Sequence, residues 1–199
     1  MKQLFFIFAC VAIISCSVED SQLDRTIFVP DEKDMSLPAY TEWGYNSFGA
    51  KYERDYFLAS QKIIPCKIMY RNDSLQILMS GIYGKSYSQD NMSLIFSIPY
   101  EKITNYSELM ILNQKRIDLG SNCVVEMILN DNRRILDGLS GELNFKRVQM
   151  LSVDDVVNRV IISGTFEVKF LGVTQFPESF SDGRFDFGIT NNEFYYTPN

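Results

Sequence analysis

The chain of 199 residues contains no histidine. This absence excludes every Ser-His-Asp or Cys-His catalytic site and every zinc site with a histidine ligand. It also removes the side chain that most often serves as a general base near neutral pH. Chemistry that needs only carboxylates, such as glycoside hydrolysis, stays open, with Glu101, Glu108, Glu126 and Glu142 as examples of acids that could pair. With 25 acidic residues, some pair reaches the required separation of about 5–10 Å by chance, so we expect a non-enzymatic protein.

Basic residues are also few. The chain has 19 Lys and Arg against 25 Asp and Glu, which gives a net charge of −6. A chain without a basic run lacks the positive surface that binds DNA or RNA, and it has no polybasic segment for anionic lipids. We therefore expect no nucleic-acid partner. The acids do not show the regular spacing of a calcium loop, and we expect no metal and no other cofactor.

An apolar run long enough to span a membrane is missing as well. The run from Leu4 to Ile14 has about eleven residues, whereas a transmembrane helix needs about 20. Placed behind Lys2, a short run of this kind predicts a secretory signal peptide. Residues 13–16 read Ile-Ile-Ser-Cys and resemble the bacterial lipobox, in which the cysteine is acylated and becomes the new N-terminus. We expect residues 1–15 to be removed and Cys16 to be lipidated; the alternative is an ordinary signal peptide.

The segment that follows is polar and acidic. Residues 16–40 contain Pro30 and Pro38 and little periodicity, which predicts a lipidated tether ahead of one β-domain at 41–199. Acidic residues directly after a lipidated cysteine resemble the surface-export signal of Bacteroidota lipoproteins. That resemblance implies an outer-membrane lipoprotein displayed on the cell surface. Retention on the periplasmic face, with a merely solvated tether, is the alternative.

Two cysteines remain once Cys10 is removed with the signal and Cys16 is acylated. Cys66 and Cys123 lie in apolar stretches of the sequence. In an oxidising compartment they could form a disulfide, and the chain-entropy estimate for such a loop is roughly 4 kcal/mol. The competing interpretation is two small buried side chains with free thiols.

From residue 40 onward the pattern is that of β-structure. β-Branched and aromatic runs alternate with clusters of Gly, Asn, Asp and Ser. About nine or ten short strands without a long amphipathic helix predict an all-β fold, either an antiparallel β-sandwich or a flattened barrel. Residues 141–151 alternate with one slip in register, which predicts a β-bulge. In the longest run, Phe166, Val168 and Phe170 are expected to share one face. Residues 106–112 fit either a helical turn or a strand.

Three segments together resemble a known family. Residues 37–50 read LPAYTEWGYNSFGA, residues 161–168 read IISGTFEV, and residues 181–186 read SDGRFD. In this order behind a lipobox, they are similar to uncharacterised all-β lipoproteins of gut and oral Bacteroidota, a domain of unknown function. The resemblance implies a β-fold, a lipid anchor and a cell-envelope location, but no activity. The family usually has Asn-Gly in the first hairpin turn, where this chain has Glu53-Arg54-Asp55, so a loop longer than two residues is expected.

The cluster Asp182, Arg184 and Asp186 is a weak candidate for a ligand site. The three side chains could hold a cation or a polar ligand. The structural alternative is a turn at Asp182-Gly183 followed by an ion pair between Arg184 and Asp186, which lie two positions apart on one strand face. We favour the structural interpretation.

A second candidate lies in the first motif. Trp43, Tyr45 and Phe48 could form an aromatic platform for a sugar ring, with the amide of Asn46 as a hydrogen-bonding group. The alternative, which we favour at this stage, is that Trp43 seals one end of the sandwich.

These patterns predict a cell-envelope lipoprotein that acts as a binding or interaction module. A glycan or a partner envelope protein is the expected ligand. An accessory subunit that covers another surface lipoprotein is the second interpretation, and a carboxylate-based glycoside hydrolase is a remote third.

Overall fold

A computed structural model of the chain describes residues 26–85, 88–121, 123–154 and 156–197. The expected signal peptide, Cys16 and the first part of the tether lie outside these residues. The described chain forms one sheet of twelve strands. They are β1 Ser47–Tyr52, β2 Asp55–Ala59, β3 Cys66–Arg71, β4 Ser74–Lys85, β5 Ser88–Pro99, β6 Arg116–Asp118, β7 Val124–Leu129, β8 Asn132–Ile135, β9 Asp137–Val153, β10 Val156–Leu171, β11 Pro177–Ile189 and β12 Phe194–Tyr196.

The strand count exceeds the nine or ten expected because three strands are very short. β6 and β12 have three residues each and β8 has four, so none is long enough to show a clear alternation. The main path through the sheet is β6-β9-β10-β11-β1-β2-β4-β5-β7-β8. β2 and β3 pair with successive parts of the same edge of β4, and β12 adds to β3 as a parallel strand. The other pairs are antiparallel, as expected for strands joined by short turns.

The sheet folds back on itself. Phe96 on β5 and Phe166 on β10 have ring centroids 5.7 Å apart, although four strands separate them along the sheet. Arg134 on β8 donates to the carbonyl oxygen of Leu171 at 2.6 Å. Both contacts require the two halves of the sheet to face each other across one core. The prediction of an all-β sandwich or flattened barrel is confirmed.

The local patterns of the longest hairpin are confirmed. Phe166, Val168 and Phe170 are all buried, whereas Lys169 between them is exposed. The register between β9 and β10 shifts between Arg147 and Phe145, which leaves Lys146 as the extra residue of a bulge. The slip read from residues 141–151 therefore marks a real irregularity of β9.

The first hairpin turn corrects an expectation. Tyr52 pairs directly with Asp55, so Glu53 and Arg54 form a two-residue loop rather than a longer one. Glu53 adopts a positive φ of 54°, a conformation that Asn or Gly reaches at lower cost. The pairing of β1 with β2 on one side and β11 on the other fixes this turn, so tertiary structure overrides the local preference.

Residues 106–112, left open between helix and strand, form a 3₁₀ helix, Tyr106–Leu112. Asn105 accepts a hydrogen bond from the Ser107 amide at 3.0 Å, and Glu108 accepts one from the Thr104 amide at 2.8 Å. These two bonds satisfy donors at the start of the helix. In the described ranges, no helix is long and apolar enough to cross a membrane.

The cysteine residues do not form the disulfide that the sequence left open. Cys66 and Cys123 are both free thiols. Cys66 is buried on β3, whereas Cys123 lies just before β7, and β4 and β5 separate these strands in the sheet. Neighbouring strands are about 4.8 Å apart, so three steps exceed the Cα separation of about 7 Å that a disulfide tolerates. Burial raises the pKa of the Cys66 thiol well above its usual value.

The described part of the expected tether is packed on the β-domain. Residues 26–46, here called the strap, cross the outer face of the sheet over β1, β10 and β11. Leu37 in the strap and Ile161 on β10 are buried, yet both lie outside the main core cluster. Pro38 sits so close to Gly49 that a Cβ atom there would lie 2.4 Å from Pro38 Cδ. The packed domain therefore begins no later than Thr26, not at residue 41.

Candidate functional site

The three motif segments converge on one buried carboxylate. Asp186 is 1% exposed, and five groups donate hydrogen bonds to its two oxygens. The donors are Thr41 Oγ1 at 2.6 Å, Trp43 N at 3.1 Å, Gly44 N at 2.9 Å, Tyr45 N at 3.2 Å and Ser163 Oγ at 2.8 Å. Three backbone amides and two hydroxyls compensate for the desolvation of this charge without a cation. Asp186 is therefore an anchor for the strap, and its oxygens are not open to a ligand.

Glycine is required at position 44 of the strap, where the chain passes close to β10. Gly44 has a φ of +72°, and a Cβ atom there would meet Ile161 Cγ1 at 3.0 Å. Its positive φ is disfavoured for residues with a Cβ atom. The glycine thus lets the chain bring consecutive amides toward the Asp186 carboxylate.

Asn46 ends the strap in a similar structural role. It is 9% exposed, has a φ of 53°, and its Oδ1 accepts a hydrogen bond from the Gly188 amide at 2.9 Å. Asparagine tolerates the left-handed region better than most residues with a Cβ atom. The side chain joins the strap to the end of β11 instead of facing solvent.

Arg184 does not pair with Asp186, in contrast to our structural interpretation of that cluster. Its guanidinium donates instead to Asp31 in the strap at 2.6 Å. Asp182 pairs with Lys51 at 3.0 Å, and the same ammonium group contacts Asp34 at 2.9 Å. The carboxylate of Asp186 already accepts hydrogen bonds from the amides of the strap. Arg184 therefore pairs with a different acid, Asp31.

Ion pairs fasten the strap along its length. Besides the Asp31 and Asp34 contacts, Glu42 accepts from Arg147 at 2.9 Å, and the Glu42 carbonyl accepts from Gln149 Nε2 at 2.6 Å. In each ion pair the strap supplies the acid and the sheet supplies the base. Hydrogen bonds from the Lys33 amide and Lys51 ammonium are the leading causes that lower the pKa values of Asp31 and Asp34, respectively. The acidic residues of the strap therefore bind it to the sheet and do not serve only to keep it solvated.

Trp43 is the largest exposed aromatic side chain of the strap. It is 71% exposed, although its own amide is bound to Asp186. The interpretation that Trp43 seals one end of the sandwich is therefore wrong. Phe48 is 1% exposed and belongs to the core, and Tyr45 is half-buried. Of the proposed platform, only Trp43 presents a large apolar surface to solvent.

A polar groove of about 380 Å³ lies on the same outer face, next to Tyr40. Its charged lining residues are Glu142, Lys146, Glu167, Asp182 and Arg184. The Lys146 ammonium lies 4.7 Å from the centroid of the Tyr40 ring, and the Tyr40 hydroxyl donates to Glu42 at 2.8 Å. The groove therefore offers hydrogen-bond donors and acceptors a few residues along the strap from Trp43.

The four glutamates considered for glycoside hydrolysis lie on separate parts of the fold. Glu108 caps the 3₁₀ helix, Glu126 pairs with Arg133, Glu142 lies on β9 and Glu101 is exposed. Glu142 instead faces Glu167 across the β9–β10 ladder. These two side chains are 40% and 47% exposed, and they pair with Arg116 and Lys169. A general acid at neutral pH normally needs a buried carboxyl group, which neither provides.

Sequence reasoning named Trp43, Tyr45, Asn46 and Asp186, but it missed their partners. Thr41, Glu42 and Ser163 lie within the motif segments, but the sequence did not indicate which distant side chains they contact, and Arg147 lies 105 positions from its partner Glu42. In the part of the chain that the structure describes, no group of three or more Cys, Asp or Glu side chains could hold a metal ion. No protein-family model, curated protein or solved structure matches the chain.

Proposed function

We propose that this protein is a cell-envelope lipoprotein, anchored through Cys16, whose β-domain is a non-enzymatic binding module with Trp43 as its main contact residue. The observation that carries the proposal is a 71% exposed tryptophan on a backbone that is itself hydrogen-bonded to a buried carboxylate. The short apolar run and the lipobox of residues 13–16 support the anchor.

An exposed tryptophan on a fixed backbone suits recognition. Tryptophan offers a large rigid surface with few rotatable bonds, so little conformational entropy is lost when a ligand covers it. The amides of Trp43, Gly44 and Tyr45 all donate to Asp186, which holds the loop in one conformation before a ligand arrives. Preorganisation of this kind lowers the entropic cost of binding.

A glycan fits this surface better than a purely apolar ligand. An aromatic face can pack against the apolar face of a sugar ring, and hydroxyl groups need nearby donors and acceptors. The groove beside Tyr40 provides both, through Lys146 and Arg184 on one hand and Glu142 and Glu167 on the other. A segment of a partner envelope protein with an apolar side chain is the alternative ligand for the same surface.

The fluorescence of Trp43 tests this proposal directly. Trp43 is the single tryptophan of the chain, so all tryptophan emission comes from the site. The full chain, purified from membranes in detergent, is titrated with neutral and acidic polysaccharides. Binding at Trp43 is expected to shift the emission to shorter wavelength and to protect it from acrylamide quenching.

A matched pair of variants provides the control. Trp43→Ala should abolish retention on the polysaccharide that shifts the wild-type emission. Phe176→Ala removes an aromatic side chain that is 72% exposed on the turn between β10 and β11, outside this face, and should leave retention unchanged. Equal retention of both variants would show that Trp43 is not the contact residue.

Protease treatment of intact cells tests the location. Digestion of the domain in wild-type cells, together with loss of envelope association in a Cys16→Ala variant, is the expected result for a surface lipoprotein. Digestion only after the outer membrane is opened would place the domain in the periplasm. Co-purification of a stoichiometric partner, without binding of any polysaccharide, would favour the accessory-subunit interpretation.

A further inference from the structure

Strand β9 is much longer than the strand that covers its outer edge. β6 pairs only with residues 142–144, whereas β9 continues to Val153. The amides of Phe145 and Val148 still find partners on this side, namely the Lys115 carbonyl and Asn113 Oδ1, both at 2.8 Å. Beyond Val148, no described residue forms a hydrogen bond with the backbone of this edge.

The unpaired groups can be assigned from the strand period. In an antiparallel strand, alternate residues direct both N–H and C=O toward the same neighbour. The Val148 amide points outward. Residues 147–153 of β9 pair one after another with β10, and the extra residue at the register shift opposite Leu151 and Ser152 is Asn158 on β10, so Met150 and Ser152 also point outward. The N–H and C=O groups of Met150 and Ser152 therefore provide two donors and two acceptors that can pair with an added strand.

This edge lacks the features that usually prevent strand addition. Residues 148–153 contain no charge and no proline, whereas exposed edges normally carry such residues or are kept very short. The opposite end of the sheet follows that rule, because β8 has four residues and includes Arg133 and Arg134. On β9, Met150 and Leu151 are 42% and 46% exposed, so one partly exposed apolar side chain lies on each face of the sheet beside the open edge.

We infer that this edge of β9 pairs antiparallel with the same edge of a second copy of the chain. The charges flanking residues 148–153 are self-complementary: Lys146 and Arg147 precede the uncharged stretch and the exposed Asp154 follows it. Antiparallel pairing of two identical strands places the basic end of each copy beside the acidic end of the other. A two-fold axis relates the copies, as in most homodimers.

The outward groups define the register of the pair. Met150 of each copy lies opposite Ser152 of the other, and each pair exchanges both N–H···O bonds. The two Leu151 residues then face each other at a non-hydrogen-bonded position, where Cα atoms are about 4.5 Å apart. Strand pairing thus buries the exposed leucine of both copies and continues the sheet across the dimer. The inference goes beyond the proposed binding function and does not depend on Trp43 or on the lipid anchor.

Cysteine cross-linking tests the register. Cα atoms about 4.5 Å apart lie within the range that a disulfide accepts. Under mild oxidation, Leu151→Cys in the full chain should give a covalent dimer on a non-reducing gel. Val173→Cys, at a 79% exposed position on the turn between β10 and β11, is the matched control and should give only background dimer.

A second measurement needs no new disulfide. The wild-type full chain should have twice the mass of one chain by light scattering corrected for bound detergent, and Leu151→Lys should have the mass of one. Because Leu151 is half-exposed, the lysine variant should fold, which an unchanged far-ultraviolet circular dichroism spectrum would verify. A wild-type monomer, equal cross-linking of both cysteine variants, or cross-linking of the Leu151→Cys variant to a different protein would overturn the inference. None of these outcomes bears on polysaccharide binding, which is measured separately.

Discussion

The Gly44 amide donates a hydrogen bond to the Asp186 carboxylate over 2.9 Å, although 142 positions separate the two residues. The bond lies in a cluster in which Asp186 accepts from two hydroxyls and three amides while being almost fully buried. A single carboxylate therefore holds the strap, β10 and β11 together. Its removal affects all three segments at once.

Replacing Asp186 should destabilise the fold strongly. Asp186→Ala leaves five donors, two in buried and three in part-buried hydrogen bonds, without their acceptor, and the expected loss in the free energy of unfolding is about 3 kcal/mol or more. Asp186→Asn should recover part of this loss, because one amide oxygen can still accept. Denaturant unfolding of the full chain measures both. Asp182→Ala is the control, since that side chain is 53% exposed, and we expect a loss below about 1 kcal/mol. Similar losses for the two alanine variants would contradict the role given to Asp186.

Gly49→Ala should disturb the strap through Pro38. A Cβ atom at this position would lie 2.4 Å from Pro38 Cδ, so the strap or β1 must move. Overpacking of this kind costs about 1–3 kcal/mol, and we expect faster cleavage of residues 26–46 in limited proteolysis. Gly120→Ala is the matched control, because a Cβ atom at that position would lie no closer than 3.3 Å to any neighbouring atom. An unchanged cleavage rate in the Gly49 variant would mean that the strap is not held at this contact.

The stability of the domain should fall as the pH drops below about 4. Asp31 and Asp34 have pKa values below those of an unfolded chain, chiefly because of hydrogen bonds from the Lys33 amide and the Lys51 ammonium, respectively. A group whose pKa is lower in the folded than in the unfolded chain stabilises the fold at pH values above its unfolded pKa. This stabilisation is lost as the pH falls through its folded pKa. The pH range in which stability is lost therefore begins at about pH 4, the usual pKa of aspartate, and extends to lower pH.

Unfolding measured between neutral pH and pH 3 checks this sign. Asp34→Asn removes one titrating group, so its stability should change less with pH than that of the wild type. Asp131→Asn, on the turn between β7 and β8, is a control outside the strap and should keep the wild-type slope. A steeper profile for the Asp34 variant would refute the assignment.

The two cysteines should differ in reactivity while both remain thiols. Burial raises the pKa of Cys66 well above its usual value, and it also raises that of the half-buried Cys123. Both thiols are therefore poor nucleophiles at neutral pH, and Cys66 is also shielded from reagents. A thiol reagent should modify Cys123 first and Cys66 only on unfolding. Equal labelling of both residues in denaturant, with and without a reductant, would confirm that no disulfide forms. Labelling that requires a reductant would contradict the free state.

Local features were predictable from the sequence, whereas long-range partners were not. The alternation of Phe166, Val168 and Phe170 and the bulge at Lys146 depend on neighbours along the chain, and both predictions are confirmed. The turn at Glu53 was predicted wrongly because strand pairing, not turn preference, sets its length.

The strap and its anchor lay beyond local reasoning. An acidic, proline-containing segment has the composition of a tether, and its partners in the domain, namely Asp186 and the bases Lys51, Arg147 and Arg184, lie far away in sequence. The exposure of Trp43 likewise follows from the path of the strap, which the amides around Asp186 determine. Residue type alone favoured burial for this side chain, and burial was the wrong expectation.

The two ends of the strap meet, because the Ile27 amide donates to the Tyr45 carbonyl at 2.8 Å. The strap is thus a closed loop on the domain surface. A mechanical load applied to the chain at Thr26 passes through this bond to β1, near the middle of the sheet, and bypasses the loop between. The position from which the chain leaves the domain is accordingly set by the contact of Ile27 with Tyr45, two residues before β1 begins.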